Sequence, residues 1–88
     1  MMANYILHPD VSYCVDIFDI KVYHGFRNIS VSLPYPQAAV WDMLVKGMPR
    51  AKMIELLAKI ACMTASHAEA ILSDTLDYLL AEQMVMKK

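Results

Sequence analysis

The sequence predicts an α+β domain in which a small antiparallel sheet of about three strands precedes three helices. Within residues 11–23 and 28–33, apolar residues alternate with polar ones, which is the two-residue period of a β-strand. From residue 37 onward, apolar residues recur every three or four positions, as on the buried face of a helix. The chain has 88 residues, enough for a modest core, so we expect residues 1–88 to form a single domain.

The stretch from Ile29 to Lys46 predicts a strand that leads directly into a short helix. Its first half has three apolar residues at a period of two, namely Ile29, Val31 and Leu33. We expect Pro34 and Pro36 to end the strand, because proline has no N–H for the ladder, and Gln37 to begin the helix. The second half has an apolar stripe at helical spacing, namely Val40, Trp41, Leu44 and Val45.

In residues 11–23, apolar and polar residues alternate, but the alternation shifts by one residue between Ile17 and Phe18. A slip of one residue turns every side chain to the opposite face, so we expect a bend there, within one strand or between two. This stretch contains no Gly or Pro, so the sequence does not predict a tight hairpin within it. His24 and Gly25 do predict a turn, which would make an antiparallel hairpin with the strand that begins at Ile29.

Two further helices are predicted after the first. Lys46 and Gly47 are expected to end the first helix, and Pro49 is expected to open the second. The apolar face of the second helix contains Met53, Ile54, Leu57, Ile60 and Ala61. Ser66 and Glu69 match a capping box, which predicts the start of the third helix. Its apolar arc is wide enough for part of it to line a groove, and contains Ala68, Ile71, Leu72, Thr75, Leu76, Leu79, Leu80 and Gln83.

The ends of the chain carry weaker patterns. Tyr5 to Leu7 predict either a short strand or an extended arm that docks on another subunit. We expect Met1 to Asn4 to be a loose end and Met84 to Lys88 to be a frayed basic tail.

The composition excludes several classes of partner. The net charge of −1 provides no basic stripe for nucleic acid and no attraction to acidic membranes. No apolar run approaches the roughly 18 to 20 residues that span a bilayer, and the N-terminus is unlike a signal peptide, so we expect a cytoplasmic protein. Hydrophobic residues make up 58% of the chain, which suggests that some apolar surface meets a partner. Cys14 and Cys62 have no paired spacing, and we expect reduced, buried thiols.

The residues do not predict an enzyme, a metal site or a cofactor. His8, His24 and His67 lack the close spacing of zinc ligands, and the two Cys do not complete such a site. No Ser, His and acid pattern of a hydrolase is present, and two Gly cannot form a Gly-rich phosphate loop.

Short motifs across most of the chain carry a family resemblance. They are His8-Pro9-Asp10-Val11, Val31-Ser32-Leu33, Ala38-Ala39-Val40-Trp41 with Leu44 and Gly47, Met53-Ile54-Glu55-Leu56-Leu57, and Leu76 with Leu79-Leu80. In these motifs the sequence resembles the PqqD-like domains, also called RiPP recognition elements. The family commonly has a Gly after the third helix, where this chain has Glu82-Gln83-Met84.

The resemblance implies a winged-helix-like, non-catalytic adaptor. Such a domain holds the leader segment of a ribosomally made precursor peptide while a partner, often a radical SAM enzyme, modifies the core segment. The peptide would add to an exposed strand edge, a mode that obtains affinity from backbone groups and selectivity from side-chain pockets. By position, the edge would be Asn28, Ile29, Ser30, Val31 and Ser32, and the far wall would be Leu72, Thr75, Leu76 and Leu79. The resemblance identifies neither the peptide nor the pathway, whether that of the quinone cofactor PQQ or another.

Two other functions fit the same elements. A winged-helix DNA-binding or regulatory module would need a basic recognition helix, but the third helix has no Lys or Arg before its tail and contains Glu69, Asp74, Asp77 and Glu82. A homodimeric assembly domain would use the same exposed edge and the N-terminal arm; this function is compatible with a peptide-binding edge, because a dimer can occupy the edge that a peptide would use.

Overall fold

The fold confirms the predicted α+β arrangement and adds a strand at the C-terminal end. The computed structural model describes residues 5–87. The elements follow in the order β1 (Tyr5–Leu7), β2 (Val11–Val15), β3 (Asp19–His24), β4 (Ile29–Pro34), α1 (Gln37–Val45), α2 (Arg50–Ile60), α3 (Ala65–Ala81) and β5 (Val85–Lys87). One antiparallel sheet has the order β2-β3-β4, and a second pairs β1 with β5. The loose end expected at Met1 to Asn4 falls outside the described residues.

Residues 11–23 form two strands joined by a tight turn. Val15 pairs with Ile20, and the N–H of Asp16 donates to the carbonyl of Asp19 at 2.9 Å. The Asp16 carboxylate also accepts a hydrogen bond from the N–H of Ile17 at 2.8 Å, local support that Asp often gives to turns. The hairpin therefore forms without Gly or Pro, contrary to the sequence expectation.

The predicted hairpin between β3 and β4 is confirmed. His24 pairs with Ile29 at its closed end, and Asn28 takes the left-handed conformation with φ 54°. At the open end, Pro34 pairs with Asp19. Pro34 is therefore the last residue of β4. Its backbone nitrogen points toward the open edge, so the absence of an N–H removes no bond to β3.

The core lies between the helices and the inner face of the three-stranded sheet. Its largest fully buried side chains include Trp41, Ile20, Met53, Leu57, Leu72, Leu76 and Leu79. Helix α2 buries only Met53 and Leu57, whereas Ile60 at its end is 62% exposed. The prediction that Ile60 belongs to the buried face is wrong, since this side chain faces solvent at the last turn of α2.

The C-terminal segment is ordered, and the expected frayed tail is wrong for Val85–Lys87. These residues form β5, which pairs with β1 so that Leu7 lies opposite Val85. Met84 and Val85 are 0% and 2% exposed. Of the two alternatives for Tyr5–Leu7, the short strand is correct, and its partner is the other end of the same chain.

Two positions after its last residue, each helix is followed by a residue with left-handed backbone geometry. These residues are Gly47 with φ 70°, Cys62 with φ 53° and Gln83 with φ 58°. At each end, the N–H of the following Met donates to a carbonyl five residues earlier, which is the Schellman motif: Met48 to Met43 at 3.1 Å, Met63 to Ala58 at 3.0 Å and Met84 to Leu79 at 2.9 Å. The predicted role of Gly47 is confirmed, and Gln83 has the same geometry without being Gly.

The third helix is capped by Thr64. Its hydroxyl oxygen accepts a hydrogen bond from the N–H of His67 at 3.1 Å, and the helix begins at Ala65. The predicted capping box at Ser66 and Glu69 is therefore wrong, because an acceptor two residues earlier already satisfies the end of the helix.

The expectation of buried thiols is also wrong, since Cys14 and Cys62 are both free and exposed.

Candidate functional site

The outer edge of β4 is one of the two open edges of the three-stranded sheet, and it could accept another strand. β3 pairs with β4 on one side, and no strand of residues 5–87 pairs with it on the other. Such an edge presents N–H and C=O groups to solvent, and these are the groups that an extended peptide uses when it joins a sheet.

The backbone hydrogen bonds determine which β3 residues face each neighbour. The Asp16 N–H donates to the Asp19 carbonyl, and the Gly25 N–H donates to the Asp10 carbonyl, both at 2.9 Å. The backbone N–H and C=O groups of Asp19, Gly25 and the odd-numbered residues between them therefore point toward β2. Because successive residues of a strand bond to opposite sides, the even-numbered residues from Ile20 to His24 bond to β4.

The same alternation identifies the free groups of β4. Its pairing places Ile29, Val31 and Leu33 opposite the residues of β3 that bond toward it. The N–H and C=O groups of Ser30 and Ser32 therefore point away from the sheet. Both serines are exposed, so their backbone groups are available along the open edge.

A depression of about 240 Å³ separates this edge from α3. Its lining comes from the end of β4, the start of α1 and the middle of α3: Ser32, Leu33, Pro34, Gln37, Asp74, Thr75 and Tyr78. At the other end of β4, the Arg27 guanidinium donates to the carbonyl of Glu82, which follows α3, at 2.7 Å. Helix α3 therefore runs antiparallel to β4, and the space between them forms a groove beside the open edge.

Two solved structures have this architecture. One is "TbiB1 in complex with the TbiA(beta) leader peptide", with a TM-score of 0.84 and 14% sequence identity over 90% of this chain and 92% of that one. The other is "Lasso peptide synthetase B1 complexed with the leader peptide", with a TM-score of 0.87 and 18% identity over 96% of this chain and 99% of that one. The chain has their fold.

The likeness is one of structure, since the identities are low. No protein-family model and no curated protein matches the chain. Both solved structures contain a leader peptide bound to their protein.

The structure places the predicted edge residues on one continuous strand and turn. Ser30 and Ser32 are exposed, whereas Ile29 and Val31 are half-buried against the core. Asn28 lies in the turn, where its side-chain oxygen accepts a hydrogen bond from the Tyr23 hydroxyl at 2.9 Å. The alternation therefore divides the predicted set into outward serines and inward apolar residues.

The predicted far wall lies mostly beneath the groove. Leu72, Leu76 and Leu79 are 0%, 2% and 0% exposed, because they fill the core between α3 and its neighbours. Thr75 is the member of this set that lines the depression, and its hydroxyl donates to the carbonyl of Ile71 at 2.7 Å. The three leucines support the groove and do not form its surface.

The surface of that wall includes Asp74 and Tyr78, which the sequence analysis did not assign to it. Both are exposed, and they lie one helical turn apart. Their spacing of four residues on the border of the apolar arc is the signal that could have identified them.

Two other kinds of feature are absent from the described residues. In residues 5–87, no three His, Cys, Asp or Glu side chains are grouped so that they could hold a metal ion. Over the same range, none of the helices has the length and apolar character needed to cross a membrane.

Proposed function

We propose that the chain is a non-catalytic adaptor that binds the leader segment of a ribosomally made precursor peptide. The open edge of β4 supports this proposal, because Ser30 and Ser32 direct backbone groups toward a groove bounded by α3. Two proteins of the same fold are leader-peptide complexes, which agrees with it. The PqqD-like motifs described above point to the same function.

Strand addition to this edge would obtain affinity from backbone groups and selectivity from the groove. Ser30 and Ser32 each offer one N–H and one C=O, and each net hydrogen bond contributes on the order of 1 kcal/mol. These bonds depend little on the peptide sequence. Selectivity would come from peptide side chains that enter the groove toward Thr75 and Tyr78.

The modification chemistry would belong to a separate enzyme, for example a radical SAM protein, that receives the core segment of the precursor. We propose that leader binding and modification take place in the cytoplasm, where precursor peptides are synthesised. A role on nucleic acid is not proposed, because α3 presents Asp74 and Asp77 to solvent and contains no Lys or Arg.

An NMR titration tests the proposal directly. The probes are leader peptides from precursor genes that neighbour the gene of this protein. We expect amide shifts at residues 28–33 and on the exposed face of α3, with bound-state protection of the Ser30 and Ser32 N–H groups. Shifts confined to α2 on addition of duplex DNA, with none from the peptides, would instead support a DNA-binding module.

A proline substitution separates strand addition from general surface binding. Ser32→Pro removes an outward N–H but no bond to β3, so the sheet should persist. Val15→Pro is the matched control, because the N–H of Val15 points outward at the opposite edge, on β2. We expect Ser32→Pro to weaken peptide binding by about tenfold or more, which corresponds to loss of a backbone bond and the contacts beside it. Equal affinity for Ser32→Pro and Val15→Pro would contradict binding at β4.

Self-association is the competing use of the same edge. Two copies that pair through β4 would bury Ser30 and Ser32 and exclude the peptide. Sedimentation at increasing protein concentration, with and without peptide, distinguishes this homodimer from the adaptor: the peptide should bind a monomer or dissociate a dimer.

A further inference from the structure

The depression beside β4 contains a carboxylate that forms no ion pair within residues 5–87. Asp74 is exposed and lines this depression. The ion pairs among residues 5–87 involve Asp16, Asp19, Asp42 and Glu55, and none involves Asp74. Arg50 approaches the same turn of α3, but its guanidinium donates to the Ser73 hydroxyl at 2.8 Å.

The remaining lining carries no charge to compete with Asp74. From β4 and α1 it consists of Ser32, Leu33, Pro34 and Gln37. Elsewhere on α3, Glu69 and Asp77 are exposed and add to a negative potential, since Ala65–Ala81 has no Lys or Arg. A cationic group that enters the depression would be attracted, and an anionic group would be repelled.

Tyr78 provides the second part of a site for a cation. It is 46% exposed and lies four residues after Asp74, so the ring and the carboxylate share one face of α3. The aliphatic stem of a Lys or Arg can pack on an aromatic ring while its charged end reaches a neighbouring carboxylate. The depression of about 240 Å³ is smaller than the roughly 300–1,000 Å³ of small-molecule sites, and is suited to one side chain.

We propose that this depression, through Asp74 and Tyr78, selects a Lys or Arg side chain of the peptide that adds to β4. The inference rests on the proposed function and identifies a chemical requirement of the ligand. Because the carboxylate is solvent-exposed, the preference for a basic over a neutral residue is about three- to tenfold in affinity, and it weakens as salt is added.

A selection from a random peptide library tests this requirement without knowledge of the natural ligand. The displayed peptides are enriched on immobilised wild-type protein and on Asp74→Lys. We expect Lys or Arg to be enriched at one position on the wild-type protein, and Asp or Glu at that position on Asp74→Lys. Asp77→Lys is the matched control, because it makes the same charge change on the same helix outside the lining of the depression.

Quantitative binding of one enriched peptide completes the test. Replacing its basic residue with Gln, or using Asp74→Asn, should each weaken binding about three- to tenfold, and the two changes together should cause little further loss. Two results would overturn the inference. One is that the losses of affinity from the two changes add independently. The other is that the wild-type protein, Asp74→Lys and Asp77→Lys all enrich the same residues.

Ser32→Pro distinguishes this failure from failure of the proposed function. If the peptides enriched on the wild-type protein bind Ser32→Pro as tightly, or if the wild-type protein enriches none, binding at the β4 edge is wrong and the inference falls with it. If Ser32→Pro binds those peptides about tenfold or more weakly but Asp74→Lys leaves the enriched residues unchanged, only the choice of a basic side chain is wrong.

Discussion

Arg27 and Glu82 join the turn between β3 and β4 to the end of α3. The Arg27 guanidinium donates to the Glu82 carbonyl at 2.7 Å. This carbonyl belongs to the C-terminal end of the helix, where carbonyl groups lack intrahelical partners and a cation is favourable. The contact fixes one end of the groove between β4 and α3.

We predict that Arg27→Ala lowers the free energy of unfolding by about 1 kcal/mol, because one charged donor to a helix end is lost. Arg27→Lys should lose less, since it keeps the positive charge beside the helix terminus. Urea denaturation of the three proteins measures the differences. Equal stability of Arg27→Ala and the wild-type protein would show that the contact contributes nothing in solution.

The cap of α3 provides a second prediction. Thr64→Ala should lower the free energy of unfolding by about 1 kcal/mol, because the N–H of His67 loses its side-chain acceptor. Ser66→Ala should change it by less than about 0.5 kcal/mol, since Ser66 lies inside the helix and is exposed. Thermal and urea unfolding of both variants are the measurement. A larger loss of stability for Ser66→Ala than for Thr64→Ala would instead support the capping box predicted from the sequence.

Two helix ends should both be more stable with glycine than with a residue that has a side chain, because both positions have positive φ. Gly47→Ala should lower stability by about 1 kcal/mol, because the position has φ 70° and the added methyl group meets open space, so backbone strain alone acts. Gln83→Gly should raise stability by about 0.5 kcal/mol, since Gln83 holds φ 58° with a side chain. Chemical denaturation of both variants provides the comparison. Changes of the same sign would exclude backbone strain as the cause.

The C-terminal strand can be tested with one buried and one exposed residue. Val85→Ala should lower the free energy of unfolding by about 2 kcal/mol, because Val85 is 2% exposed in the core. Lys87→Ala is the control, since Lys87 is exposed and should change stability by less than about 0.5 kcal/mol. Similar small effects for both would mean that β5 does not pack as the structure shows.

Local patterns predicted the order and type of most elements correctly. The alternation from Ile29 to Leu33 and the helical stripe that includes Trp41 are properties of neighbouring residues, so they can be recognised before the fold is known. The left-handed position of Gly47 is likewise set by a residue that tolerates positive φ at a helix end. These signals established an α+β domain with a strand leading into the first helix.

The tail and the surface of the groove depended on contacts between distant segments. Val85 forms a strand because Leu7, at the other end of the chain, lies opposite it. Leu72 and Leu79 are core residues and Tyr78 faces the groove, because the rotation of α3 against the sheet determines which side of a wide apolar arc is covered. Periodicity defines the width of such an arc, but the packing partner determines which part is buried, and that choice appears only in three dimensions.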